Sequence, residues 1–148
     1  MVVMITSKQN TSGTVTLPLL NWSTSFTVAA NQVEIIQLPP GAETLGSETI
    51  TQTGVQILSE VPVSAYIHQY FNFRSEASIV LPIDAISTEY FVMSYSGVQQ
   101  GGTNYLSEFL IVATENETAV TINPSDQTKS GKSPNLSLIH ISEPTRPY

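Results

Sequence analysis

The sequence predicts an all-β protein built from antiparallel strands, and three observations lead to that prediction. Ser and Thr together account for 35 of the 148 residues, while Val and Ile contribute 13 each. Short segments of alternating apolar and polar residues recur along the chain, and residues that form turns separate them. No segment has the periodicity of an amphipathic helix of ordinary length. Because β-branched side chains pack well on a pleated surface, this composition favours strands over helices.

The first seventy residues contain six segments that we predict to be strands. A polar loop at 8–13 follows the first of them, and Pro39-Pro40-Gly41 interrupts the series after the fourth. In the fifth, Val55 and Ile57 alternate with polar residues, which is typical of a half-buried strand. Pro62 near the start of the sixth indicates a strand end or an edge, since proline cannot donate to the ladder. The predicted strands are residues 2–7, 14–18, 24–29, 32–38, 54–60 and 61–69.

Four more strands are predicted after residue 70. Their separators include Pro82, Gly97, the pair Gly101-Gly102 and the polar residues 115–117. Residues 84–87 are long enough for one helical turn. Strands this dense without intervening helices predict an antiparallel sandwich, with a propeller-like array of β repeats as the alternative. The predicted strands are residues 77–81, 90–95, 107–113 and 118–122.

An internal similarity indicates a repeat. Residues 3–6 (V-M-I-T) and 14–18 (T-V-T-L-P) parallel residues 111–114 (I-V-A-T) and 119–124 (A-V-T-I-N-P). We interpret this as one hairpin that recurs about a hundred residues later, so the chain would hold one repeat unit and the start of another. The predicted β domain is therefore expected to be incomplete.

Residues 136–148 differ in composition from the rest of the chain. They hold two of the nine prolines and one of the two histidines. Their sequence, L-S-L-I-H-I-S-E-P-T-R-P-Y, resembles the translation of a transposase-type sequencing adapter. We therefore predict a non-native, adapter-derived tail at 136–148 and assign residues 1–135 to the partial β domain.

Charge and composition exclude several classes of function. The net charge is −7, with five basic residues and no basic cluster, so binding to nucleic acid is excluded. Cysteine is absent, which removes disulfides, thiolate metal sites and Cys nucleophiles. No apolar run is long enough to span a membrane, and the N-terminus lacks the pattern of a signal peptide.

Three segments carry a resemblance to a known family. They are residues 54–66, which contain P-V-S-A-Y, residues 78–82 with 90–95, and residues 107–122, which read S-E-F-L-I-V-A-T-E-N-E-T-A-V-T-I. Taken together, in this order, they resemble the N-terminal domain of IgGFc-binding proteins, a module of an animal mucus protein and of many bacterial surface or secreted proteins.

The resemblance implies a non-enzymatic, extracellular or cell-surface module for binding or adhesion. Its partner would be a protein or glycan on a glycoprotein, such as a mucin, or on a host or matrix surface. Immunoglobulin Fc enters only by analogy with the animal protein. The alternative is a purely structural spacer repeat in a large surface protein. The family supplies no binding motif that could be transferred to particular residues.

The sequence offers no catalytic, metal or cofactor site. His68 is the only imidazole before the predicted tail, and no nucleophile motif accompanies it, so we expect it to be solvated or hydrogen-bonded. Glu115, Glu117 and Asp126 lack the regular spacing of a calcium loop. We interpret Glu115 and Glu117 as parts of an exposed turn.

Aromatic residues supply the only candidates for binding. Tyr70, Phe71 and Phe73 lie close together in sequence beside Asn72, and Trp22 stands in a loop-like segment. Such residues usually fill a core, but exposed aromatics beside amides can also stack on sugars or anchor a protein partner. Both interpretations remain open for all four.

Overall fold

The computed structural model describes residues 1–46, 48–72, 74–93, 97–115, 117–124 and 137–141. These residues form eleven strands, which confirms the predicted all-β class. The strands are β1 (Val2–Thr6), β2 (Thr11–Leu17), β3 (Trp22–Val28), β4 (Val33–Gln37), β5 (Gln56–Ser59), β6 (Ser64–Phe71), β7 (Arg74–Val80), β8 (Val98–Gln100), β9 (Thr103–Tyr105), β10 (Thr118–Ile122) and β11 (Ser137–Ile141).

Two antiparallel sheets from the first half of the chain share one hydrophobic core. The four-stranded sheet has the order β4-β1-β6-β7, and the three-stranded sheet has the order β3-β2-β5. Alternate residues of the central strands face inward, as Val3 and Ile5 do on β1 and Val15 and Leu17 do on β2. The core combines side chains of both sheets: Val3, Ile5, Val15, Leu17, Phe26, Ile36, Leu38, Ala42 and Ala65.

The first two strands do not form the predicted hairpin. β1 pairs with β4 and β6, whereas β2 pairs with β3 and β5, so residues 7–10 carry the chain from one sheet to the other. The prediction is wrong because both strands bury an apolar face, and two such faces can be buried by stacking as well as by lying side by side. The crossing is fixed by the Asn31 N–H, which donates to the Ser7 carbonyl at 2.8 Å.

Two predicted strands are absent from the second half of the chain. Residues 90–93 and 106–113 have no regular secondary structure, and residues 94–95 of the first prediction lie outside the described residues. Their apolar side chains are exposed, and Phe91 reaches 90%. An alternating apolar pattern gives a segment the propensity to form a strand, but a strand also needs a neighbour whose N–H and C=O groups pair with it. No described strand pairs with either segment.

Two small hairpins complete the described part of the chain. β8 and β9 were not predicted; they flank Gly101-Gly102, whose φ angles of 58° and 80° suit the two-residue turn of a hairpin. β10 matches its prediction and pairs with β11, which lies within the predicted tail. The predicted helical turn is the 3-10 turn Ile83–Ala85. Within the described ranges, no helix has the length and apolar character needed to cross a membrane.

Candidate functional site

The strand β6 places two tyrosines and a histidine on one face. Ala65 points into the core, so Tyr66, His68 and Tyr70 point away from it on the opposite face of the sheet. Tyr70 is 71% exposed and Tyr66 is also exposed. Phe71 has the opposite direction but lies past the end of the core, and it is 67% exposed. The end of β6 therefore presents aromatic rings to solvent on a hydrogen-bonded strand.

The neighbouring strands extend this surface with apolar side chains. Tyr66 lies opposite Met4 of β1 and Ile79 of β7, and Met4 lies opposite Ile35 of β4. These four residues form one row across all four strands, since side chains at paired positions share a face of the sheet. We call this row, together with Tyr70, the aromatic face. It contains no charged residue, although the chain as a whole carries a net charge of −7.

The four candidates predicted from sequence separate into different environments. Tyr70 and Phe71 are exposed at the end of β6. Trp22 begins β3 and packs, partly buried, against the core. Phe73 lies outside the described residues. The binding role of all four stays a prediction. Of the four, Tyr70 and Phe71 have rings that the structure shows to be exposed to solvent.

Sequence reasoning missed Met4, Ile35 and Ile79 as parts of a surface. Their alternation along the strands was visible, but their proximity depends on strand order and register. β4, β1, β6 and β7 become neighbours although other strands lie between them in sequence. Nothing in a local pattern reports such an order, so the aromatic face could not be assembled from the sequence alone.

His68 is hydrogen-bonded, as expected, and its partner is Ser75. The Nε2 atom lies 2.8 Å from the Ser75 hydroxyl oxygen across β6 and β7. A nucleophilic serine also needs an acid that orients the imidazole and donors for an oxyanion. No carboxylate contact to His68 is found among the described residues, and the pair lies on an open sheet. Among the described residues, the His68–Ser75 pair therefore lacks the third group that would orient the imidazole.

The acidic residues do not converge on a metal site. Glu115 and Glu117 are exposed, in agreement with the predicted turn, and the Thr118 hydroxyl donates to the Glu115 carbonyl at 2.7 Å. Asp126 lies outside the described residues. In the part of the chain that the structure describes, no three His, Asp or Glu residues are grouped so that they could hold a metal ion.

Comparison with known proteins gives one match. Residues 76–141 match the family model described as IgGFc binding protein, whereas no curated protein and no solved structure matches the chain. The match includes residues 76–80 of β7 and the segment 107–122, which carried much of the resemblance, but it leaves out residues 54–66. The family is one of extracellular binding domains without catalytic activity. The resemblance predicted from sequence is thus confirmed, with residues 76–141 of this chain matching the IgGFc binding protein family.

Proposed function

We propose that the chain is an extracellular or cell-surface module that binds glycoproteins or host and matrix surfaces, without catalysis, through the aromatic face. The observation that carries the proposal is the exposure of Tyr66 and Tyr70 on an ordered strand beside an apolar row. The family match supports a binding role and is independent of this surface, since only Ile79 of the aromatic face lies within residues 76–141.

Solvent exposure of these rings leaves free energy available for association. An aromatic side chain buries roughly 150–250 Å² when a partner covers it, and burial stabilises by about 25 cal/mol per Å². A tyrosine also has few rotatable bonds, so little conformational entropy is lost on binding. Because β6 pairs with both β1 and β7, the backbone beneath Tyr66 and Tyr70 is already ordered. Both features are typical of anchor residues in protein interfaces.

The chemistry of the face favours a neutral amphipathic partner. Tyrosine combines an apolar ring with a hydroxyl group, and His68 and Ser75 add polar atoms beside Tyr70. Protein surfaces and sugar rings both offer apolar patches next to hydrogen-bonding groups. A mucin-like glycoprotein fits this description, and immunoglobulin Fc is included as a partner through the family relation alone.

A binding panel tests the proposal. The full chain is titrated against immobilised mucin, matrix glycoproteins and immunoglobulin Fc, in parallel with the double variant Tyr66→Ala/Tyr70→Ala. We expect at least one partner to bind and the double variant to lose more than tenfold in affinity. Phe91→Ala is the matched control, since it removes an exposed aromatic ring outside the sheets and should leave binding unchanged.

The structural spacer is the second candidate, and one observation favours it. β10 repeats the sequence pattern of β2, and its Val120 and Ile122 are less exposed than the residues between them, as Val15 and Leu17 are on β2. A spacer needs no ligand. Failure of the whole panel to bind would refute the binding proposal and favour this alternative.

A further inference from the structure

A shallow polar groove lies on the three-stranded sheet, whereas the aromatic face belongs to the four-stranded sheet. The groove is open to solvent, with a volume of about 430 Å³, and lies where β2 and β3 meet the end of β5. Ser12 and Thr27 are paired positions on β2 and β3, and Asn10 and Glu60 lie just beyond the ends of β2 and β5. Its lining residues come from three separate parts of the chain: Asn10, Thr11, Ser12, Thr27, Val28, Ala29 and Glu60.

Hydrogen bonds to the backbone hold the walls of the groove in place. The Ala30 N–H donates to Asn10 Oδ1 at 2.8 Å, which orients the amide and leaves its Nδ2 donor for another partner. The Glu60 N–H donates to the Ser12 carbonyl at 3.0 Å. The Val61 N–H donates to the buried Thr11 hydroxyl at 3.3 Å. These bonds hold the end of β5 against β2, so they fix the position of Glu60 relative to Ser12.

The free polar groups of the groove suit one class of ligand. Among the described residues, the Asn10 Nδ2 group, the Ser12 and Thr27 hydroxyls and the Glu60 carboxylate make no hydrogen bonds with one another. Together they offer a donor, two groups that donate or accept, and a charged acceptor. The exposed Ala29 side chain adds a small apolar patch, whereas the Val28 side chain is buried in the core. No basic residue lines the groove, which disfavours an anion, and a single carboxylate is too few for a hard cation.

We propose that this groove is a subsite for a neutral saccharide unit. Adjacent hydroxyls of a sugar ring both donate and accept, so they can satisfy the carboxylate, the amide and the two hydroxyls at once, while a C–H group of the ring covers the Ala29 methyl group. The inference rests on the proposed function, because it assigns the groove to the glycan of a bound glycoprotein. The aromatic face and the groove are then two separate contact surfaces, one on each sheet.

Four substitutions remove one ligand-facing group each while keeping the shape of the groove. Asn10→Asp keeps the acceptor for the Ala30 N–H but removes the Nδ2 donor. Glu60→Gln removes the charge, and Thr27→Val and Ser12→Ala remove hydroxyls. Since hydrogen bonds to charged groups are the stronger, we expect Glu60→Gln to weaken saccharide binding about tenfold or more. The other three variants each lose a hydrogen bond made by an uncharged group, and we expect them to weaken binding roughly fivefold.

The control is Ser25→Ala, which removes an exposed hydroxyl from β3 two residues before Thr27 and outside the groove. The full chain is produced in a bacterial host, because Asn10-Thr11-Ser12 matches the acceptor triplet for N-glycosylation. Methyl glycosides of common neutral sugars are titrated by saturation-transfer NMR and calorimetry. Thermal unfolding of each variant is recorded to detect any loss of fold.

The outcomes separate the groove from the proposed function. Support requires saccharide binding that the four variants weaken and Ser25→Ala does not, together with loss of glycoprotein binding after enzymatic deglycosylation. Two results would overturn the saccharide proposal for the groove but leave the proposed binding role of the aromatic face. They are glycoprotein binding that survives deglycosylation, and saccharide binding that Asn10→Asp and Glu60→Gln leave unchanged in folded protein. Absence of binding to every glycoside and every glycoprotein would overturn both.

Discussion

Gly13 is the position where the structure predicts the sharpest effect of one added methyl group. It lies in the middle of β2, opposite Phe26 of β3 and Ser59 of β5. A Cβ atom built on Gly13 would lie 2.5 Å from Phe26 Cζ and 2.7 Å from Cε1, and it would also meet the Leu58 carbonyl oxygen. Real Cβ atoms essentially never come closer than 3.0 Å to such neighbours. Glycine thus leaves the space that the Phe26 ring fills.

The cost of Gly13→Ala follows from what would have to move. Phe26 is buried in the core and cannot turn away without opening a cavity, and the Leu58 oxygen belongs to the backbone of β5. Overpacking of this kind costs about 1–3 kcal/mol, and we expect about 2 kcal/mol for Gly13→Ala. For a chain of this length, that lowers the melting temperature by roughly 4–8 °C.

Gly54→Ala is the matched control. A Cβ at Gly54 would meet nothing within 4 Å, so the substitution should leave the free energy of unfolding unchanged or raise it by up to about 1 kcal/mol. Urea denaturation and thermal unfolding followed by circular dichroism compare the two variants with the unmodified chain. Equal melting temperatures for Gly13→Ala and Gly54→Ala would refute the packing argument.

Three further predictions concern the core, one turn and the histidine. Ile5 is 0% exposed, so Ile5→Ala should lower the free energy of unfolding by about 2–5 kcal/mol in urea denaturation. Ile79 is 55% exposed, so Ile79→Ala should lower it by less than about 1 kcal/mol. Equal losses for the two variants would contradict the assigned core. Asn31 has a φ of 61°, in the left-handed region that β-branched residues avoid. Asn31→Val should therefore lower the free energy of unfolding by about 1–2 kcal/mol, and Asn31→Gly should change it little. The reverse order would contradict the left-handed conformation of Asn31. Turnover of an activated ester should be no faster than with His68→Ala, and a clear difference would show that the His68–Ser75 pair is catalytic.

Local patterns predicted the strands that find partners inside the core. β1 and β4 lie close to their predicted bounds, because alternating burial of residues such as Val3 and Ile5 is a property of the strand itself. β10 also matches its prediction, although it pairs with β11 and contributes no residue to this core. Residues 107–113 have an equally strong pattern and form no strand in the structure. The propensity to form a strand depends on the residues of the segment itself, whereas strand pairing depends on the rest of the fold.

The two candidate surfaces, the aromatic face and the groove, could not be predicted from local sequence patterns either. Tyr70 and Phe71 are exposed because they lie past the end of the core, and no local pattern reports where the core ends. The groove was not foreseen, since Asn10 and Glu60 meet only through the pairing of β2 with β5. Residue types were visible in sequence, but register and strand order bring them together.

The aromatic face is tested most directly by mapping the surface that a partner covers. Ring protons of Tyr66 and Tyr70 and the methyl groups of Ile35 and Ile79 are followed by NMR while a partner from the binding panel is added. We expect these signals to shift together and saturably, and the Phe91 signals to stay unchanged. Saturable binding that leaves Tyr66, Tyr70, Ile35 and Ile79 unshifted would show that the partner does not bind the aromatic face.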